Sequence, residues 1–189
     1  MNVRKFPLLA GLSVLILAVL ACTINVGGPA YPDQRIPVST EALNELQSAM
    51  QTAEAAGADS GQVSIAINES QLSSYLAAKF MTQPEPLIIN PQAYLQDGQI
   101  QIFGTAQQGY LQANIEIVVT AGVDEQGQLK IEITSADFGP LPVPAGLKDT
   151  VSAAIQEAYT GVIGPAILGF RLESITVANG TMTIVGRTK

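Results

Sequence analysis

Histidine and tryptophan are absent from this 189-residue chain, and cysteine occurs once, at Cys22. Without histidine there is no Ser-His or Cys-His catalytic pair, no imidazole metal ligand and no histidine pH switch. With one cysteine the chain can form neither an intramolecular disulfide nor a thiolate zinc cluster. These absences exclude the commonest catalytic and metal sites, and we predict that the protein uses no metal or cofactor.

Charge is also scarce, because Asp, Glu, Lys and Arg together make up 13% of the residues, about half of the usual share. The net charge of −7 argues against a phosphate-binding surface, and therefore against nucleic acid as a partner. Apolar residues reach 47% of the chain. This composition is typical of a folded domain with a real core, not of a disordered protein.

The first 22 residues have the pattern of a secretory signal. Arg4 and Lys5 precede an apolar stretch over residues 8–20, which ends in Val-Leu-Ala-Cys at Cys22. The stretch is shorter than the ~20 residues of a membrane-spanning helix. Its end resembles a bacterial lipobox, which implies cleavage before Cys22 and a diacylglycerol on the cysteine sulfur. The alternative is an uncleaved anchor helix, and both readings predict an extracytoplasmic protein held at the cell membrane, or at an outer membrane if there is one.

We divide the chain into a signal peptide over residues 1–21, a lipidated tether over residues 22–38 and one domain over residues 39–189. Removing Arg4 and Lys5 with the signal leaves seven basic and sixteen acidic residues, a net charge of −9. Such a domain is not attracted to anionic lipid by charge, so the lipid on Cys22 has to anchor it. Glycines and prolines between residues 23 and 37 predict a flexible tether.

Two helices are predicted near the start of the domain. Apolar residues three or four apart mark the first, which Ser39 or Thr40 can cap and which Gly57 is expected to end. A short strand follows over residues 63–67. Asn68 and Gln71 then form a capping-box pattern at the start of the second helix.

From Leu87 onward the apolar period changes from 3.6 to 2, which predicts strands. Asp97-Gly98 and Asn179-Gly180 are two-residue hairpin signals, and residues 124–127 form a third turn. Closing each hairpin places the apolar residues of both strands on one face. We therefore predict an α+β fold in which a curved antiparallel sheet has its apolar face covered by two or three amphipathic helices, one of them starting near Leu147.

Acidic residues offer two possible sites of chemistry. Glu116 and Glu132 fall on neighbouring strands and on the same polar face, where a carboxylate pair could act on a sugar. Asp124, Glu125 and Asp137 could be proposed as calcium ligands, but their spacing does not match a calcium loop. A solvated sheet face and an ordinary acidic turn explain both groups, and we predict that the protein is not an enzyme.

The order of elements carries a resemblance. A helix through Gln71 and Leu76, a hairpin strand ending in Phe103-Gly104, and a strand entering the Phe-Gly-Pro-Leu-Pro-Val-Pro segment at residues 138–144 precede an amphipathic helix. This order resembles the YpmS-like group of membrane-anchored extracytoplasmic bacterial proteins, which use a membrane helix where this chain has the lipobox-like pattern. It is similar, more loosely, to LmeA-like phospholipid-binding proteins, whose fold belongs with the tubular lipid-binding domains. The resemblance implies that a lipid binds in a groove between sheet and helices.

Alternation along the strands and the apolar stripe of the predicted helix identify the residues that face this interior, whether it is hollow or solid. The candidate ligand-lining residues are Leu111, Ile115, Ile133, Leu147, Val151, Ile155, Ile163 and Leu168. Two functions stay open: a lipoprotein that binds a phospholipid or another apolar ligand, and an envelope scaffold whose glutamine-rich sheet face binds a protein partner.

Overall fold

The computed structural model describes residues 23–82, 86, 88–143, 153 and 170–188. The predicted signal, Cys22 and the predicted third helix, apart from residue 153, lie outside these residues. The described elements are the helices α1 (Thr40–Ser60) and α2 (Glu69–Met81) and the strands β1 (Ile24–Asn25), β2 (Gln62–Asn68), β3 (Ile89–Gln96), β4 (Gln99–Gln108), β5 (Leu111–Val123), β6 (Leu129–Asp137), β7 (Phe170–Ala178) and β8 (Thr181–Thr188).

The strands form two curled sheets that together make a half-barrel, and the helices pack on it. One sheet has the order β1-β5-β4-β3, and β6 pairs with β5 as well; the other has the order β2-β8-β7. All pairs are antiparallel except β1 with β5. The α+β class is confirmed, and the structure adds that the strands divide between two sheets.

Both predicted hairpin registers are present. Leu95 lies opposite Ile100 in the first hairpin, and Val177 lies opposite Met182 in the second. Asn179 and Gly180 have φ values of 52° and 75°, as the mirror-image turn of a two-residue hairpin requires. These registers follow from local chemistry, because a tight turn allows only one pairing that keeps apolar residues together.

The helices begin where the sequence predicts. The Ser39 hydroxyl accepts a hydrogen bond from the Ala42 amide, and the capping box of Asn68 and Gln71 is complete. The predicted end of α1 at Gly57 is wrong, since the helix continues to Ser60. Gly57 is buried inside the helix, and its carbonyl accepts from the amide of Gly61, whose φ of 73° ends α1.

Hydrogen bonds between hairpin turns join the two sheets. The Gly98 amide donates to the Val177 carbonyl at 2.9 Å, and the Gly180 amide donates to the Leu95 carbonyl at 2.8 Å. The core lies between the sheets and the helices and draws on every layer. Its most deeply buried side chains include Ile65, Leu76, Leu95, Ile117 and Ile184.

Residues 23–38, predicted to be a flexible tether, instead lie along the outer face of the first sheet. We call this segment the strap. The β1 strand pairs with β5, and further on the Gln92 side chain bonds both the amide and the carbonyl of Ile36, at 2.7 and 3.0 Å. Composition predicted a tether because glycine and proline are typical of linkers, whereas distant backbone and side-chain partners hold these residues in place.

Aromatic packing holds the middle of the strap. Tyr31 packs on Phe103 with ring centroids 5.7 Å apart, and the guanidinium of Arg35 lies 3.9 Å from the Tyr31 centroid. The Tyr94 hydroxyl donates to the Gln34 carbonyl at 2.7 Å. Burial raises the pKa of Tyr94, partly offset by the positive charge of Arg35, so this phenol stays protonated and able to donate at neutral pH.

Candidate functional site

The inner face of β5 changes character along the strand. Its middle carries Ile115, Ile117 and Val119, which are fully buried. Beyond Val119, Ala121 and Val123 are only half-buried. This gradient identifies the far half of β5 as the place where the apolar interior comes nearest to solvent.

The strand β6 continues this half-exposed face. Ile133 pairs with Val119, Ile131 with Ala121 and Leu129 with Val123, so the alternation directs all of them to the inner side. Each packs against the core cluster while remaining half-buried. We call Ala121, Val123, Leu129, Ile131 and Ile133 the apolar strip.

The opposite face of β6 is polar and exposed. Lys130 and Glu132 form an ion pair there at 2.8 Å, with side chains about 60% exposed. The hydrogen bond to the Glu132 carboxylate, together with the negative charge of that carboxylate, raises the pKa of Lys130. The strip is therefore the apolar side of a two-faced strand and is chemically distinct from its outer side.

A cavity of about 680 Å³ adjoins the strip where β5 ends. Its lining residues are Val123, Asp124, Gly127, Arg171, Leu172, Glu173 and Arg187. This volume suits a small ligand. An apolar strip that leads into a charged cavity fits an amphiphile, whose tail and polar end need different surroundings.

Two of the charged side chains in this cavity form an ion pair, and a third bonds the backbone. Arg187 bonds the Glu173 carboxylate at 2.8 Å, and the Arg171 guanidinium donates to the Glu125 carbonyl at 2.8 Å. A bulge between Leu172 and Ser174 shifts the register and places Arg171 opposite Arg187. Without the bulge, the register set by the Asn179-Gly180 turn would place Leu172 opposite Arg187. The sequence therefore does not predict that the two arginines lie opposite each other.

The predicted lining residues separate into four groups. Ile115 is fully buried in the core, and Ile133 is half-buried in the strip. Leu111 shares their face but is 41% exposed. Leu111 is the first residue of β5 and lies at the end of the strand. The residues outside the described part of the chain are Leu147, Val151, Ile155, Ile163 and Leu168.

The carboxylate pair considered for catalysis is not assembled. Glu116 lies opposite Asp137, whereas Glu132 lies opposite Thr120. Four residues along β5 separate these positions, a distance of about 13 Å. Glu116 and Glu132 therefore do not flank a common substrate position in the way that a glycosidase pair does.

The acidic turn is a structural feature. Asp124 accepts hydrogen bonds from the amides of Gln126 and Gln128, at 2.9 and 2.7 Å. Asp137 likewise accepts from the Gly139 amide at 2.7 Å. Within the described ranges no group of three or more acidic or cysteine side chains could hold a metal.

The segment that follows β6 is divided between core and surface. Phe138 and Leu141 are buried in the core, whereas Val143 is 55% exposed. Of the helices in the described part of the chain, none combines the length and apolarity needed to cross a membrane.

Comparisons with known proteins assign the chain to no family. No family model matches the chain, and no curated protein matches it. Among solved structures, the crystal structure of lipopolysaccharide binding protein is similar, with 10% identity and a TM-score of 0.20. The match covers 79% of this chain and 46% of that one. The chain thus spans less than half of that protein's length.

Proposed function

We propose that this protein is a membrane-anchored, extracytoplasmic lipoprotein that binds a lipid or another apolar ligand without catalysis. The observation that carries the proposal is the apolar strip, which stays half-buried beside the charged cavity. In the middle of the same face, Ile115, Ile117 and Val119 are fully buried. A protein with only a structural interior gains nothing from leaving isoleucines half-covered, since burial stabilises by about 25 cal/mol per Å².

The leader and the resemblance support the same function. The lipobox pattern at Cys22 implies a lipid anchor, and the resemblance to YpmS-like and LmeA-like proteins implies lipid binding outside the cytoplasm. The strip and its cavity suit a ligand with an apolar chain and a polar end, such as a phospholipid. The scaffold alternative is less favoured, because the strap already occupies part of the glutamine-rich outer face at Gln92.

Bound lipid provides the test. We would purify the full chain in detergent and measure lipid per protein by native mass spectrometry, before and after incubation with phosphatidylethanolamine vesicles. The double variant Ile131→Ser, Ile133→Ser should lose most of the lipid, because it replaces the apolar contact. The matched control is Lys130→Ser, Glu132→Ser on the opposite face of the same strand, which removes an exposed ion pair that contributes little to stability.

The control should retain the parent's lipid. A parent chain that neither carries lipid nor acquires it from vesicles would contradict the proposal. Equal lipid in both double variants would place the ligand elsewhere and would contradict the role of the strip.

A further inference from the structure

Three residues with exposed apolar side chains are neighbours at one end of the first sheet. Ile24, Tyr110 and Leu111 are 58%, 61% and 41% exposed. The Ile24 amide donates to the Tyr110 carbonyl at 2.7 Å, and Ile24 pairs with Leu111 in the β1–β5 ladder. We call these three residues, at the turn between β4 and β5, the apolar tip. Backbone hydrogen bonds fix it as one patch.

Charge is absent from the chain around the tip. No charged residue occurs in residues 98–115 or in residues 23–32, the two stretches that form it. Elsewhere the chain carries an excess of acidic groups. Segments without charged residues can enter the headgroup region of a bilayer without the cost of desolvating a charge of their own.

The apolar tip lies close in sequence to the predicted membrane anchor. Cys22 precedes Ile24 by two residues, which span at most about 7 Å. A lipid on Cys22 would therefore enter the membrane directly beside the tip. If the apolar run at residues 8–20 stays uncleaved as an anchor helix, its end is four residues away, or about 14 Å.

We propose that the apolar tip contacts the lipid bilayer and orients the domain with the β4–β5 turn toward the membrane. This inference rests on the membrane anchor of the proposed function but not on ligand binding. Ile24 and Leu111 add aliphatic contact, and Tyr110 suits the interface because its ring is apolar and its hydroxyl is polar. Together with the lipid, the tip provides a second attachment, which fixes the orientation that a lipid alone leaves free.

The lack of tryptophan allows a direct test with single-tryptophan variants. The full chain carrying Tyr110→Trp is reconstituted into phosphatidylcholine vesicles with brominated acyl chains, which quench tryptophan in or near the bilayer. The matched control is Gln126→Trp, in the exposed turn beyond the far end of β5. Flotation of the same samples reports whether each variant is bound.

We expect the Tyr110→Trp variant to be quenched at least about three-fold more strongly than Gln126→Trp, with its emission shifted to the blue. Adding Leu111→Gln to Tyr110→Trp should reduce the quenching, whereas adding Val38→Gln, at an exposed valine outside the tip, should not. Equal quenching of the two single-tryptophan variants, with both still floating, would contradict the contact between the tip and the bilayer but not the membrane anchor. Failure of the chain to float, with Cys22 intact, would overturn the anchor and the tip together.

Discussion

Individual polar side chains in this protein accept hydrogen bonds from distant backbone amides, which their positions in the sequence do not reveal. Ser73 and Ser74 stand on a helix without any nearby base, and the sequence predicts no role for them. In the structure both are buried. The Ser73 hydroxyl accepts from the Ala93 amide at 2.8 Å, and the Ser74 hydroxyl accepts from the Ser39 amide at 3.0 Å.

These serines could not be assigned from sequence because their partners lie 20 and 35 residues away. Ala93 belongs to β3, which ends the first sheet, so its amide has no neighbouring strand. Glu69 serves the same strand, accepting from the Leu95 amide at 2.8 Å. Side chains of α2 thus satisfy an edge that would otherwise be open to pairing with another chain.

We expect Ser73→Ala to lower the free energy of unfolding by about 1–3 kcal/mol, because it leaves the buried Ala93 amide without an acceptor. The control is Ser64→Ala on an exposed position of β2, which should change stability by less than about 0.5 kcal/mol. Chemical denaturation of both variants measures the difference. Equal stabilities would mean that water or another group satisfies the Ala93 amide.

At the scale of elements, the sequence predicts those features whose contacts join residues close together in the chain. The hairpins at Asp97-Gly98 and Asn179-Gly180 were predicted residue by residue, since turn and register are encoded within a few positions. The strap was not predicted. Its contacts join Ile36 to Gln92 and Pro29 to Asn114, which are 56 and 85 residues apart. No local pattern encodes such pairs.

Two glycines of the strap allow a matched test of its docking. Gly27 and Gly28 both have positive φ, at 99° and 115°. A Cβ at Gly28 would collide with the Asn114 backbone, whereas one at Gly27 would meet nothing within 4 Å. Gly28→Ala should therefore displace the strap, while Gly27→Ala carries only the conformational cost of positive φ, about 1–2 kcal/mol.

Hydrogen exchange at Asn114 provides the measurement, because its amide donates to the Gly27 carbonyl at 2.8 Å. We expect this amide to exchange at least about ten-fold faster in Gly28→Ala than in Gly27→Ala. Equal rates would contradict the close packing of strap and sheet at this point.

At the scale of the whole molecule, β5 connects the two proposed sites. The apolar tip lies at its first residue, and the charged cavity lies at its last, up to about 40 Å away along the strand. If the tip contacts the anchoring membrane, the cavity is held away from that membrane. Ligand would then be exchanged with a carrier or with a facing membrane, not with the bilayer that holds the anchor.

Substitutions at Ile115 and Ile131 can distinguish a solid interior from a binding surface. They share one face of the sheet, yet Ile115 is fully buried and Ile131 is half-buried in the strip. The alternation of apolar residues predicted their common face but not this difference, which depends on what covers each strand. Added volume should therefore have opposite consequences at the two positions.

We expect Ile115→Trp to lower the free energy of unfolding by about 1–3 kcal/mol, since overpacking a filled core forces its neighbours apart. Ile131→Trp should retain the parent's melting temperature but carry less lipid, because the indole occupies part of the ligand's surface. Melting temperature and bound lipid are measured on the same samples of the full chain. If Ile131→Trp destabilises the protein as much as Ile115→Trp does, the strip belongs to a solid core, and lipid binding at β5 and β6 is wrong.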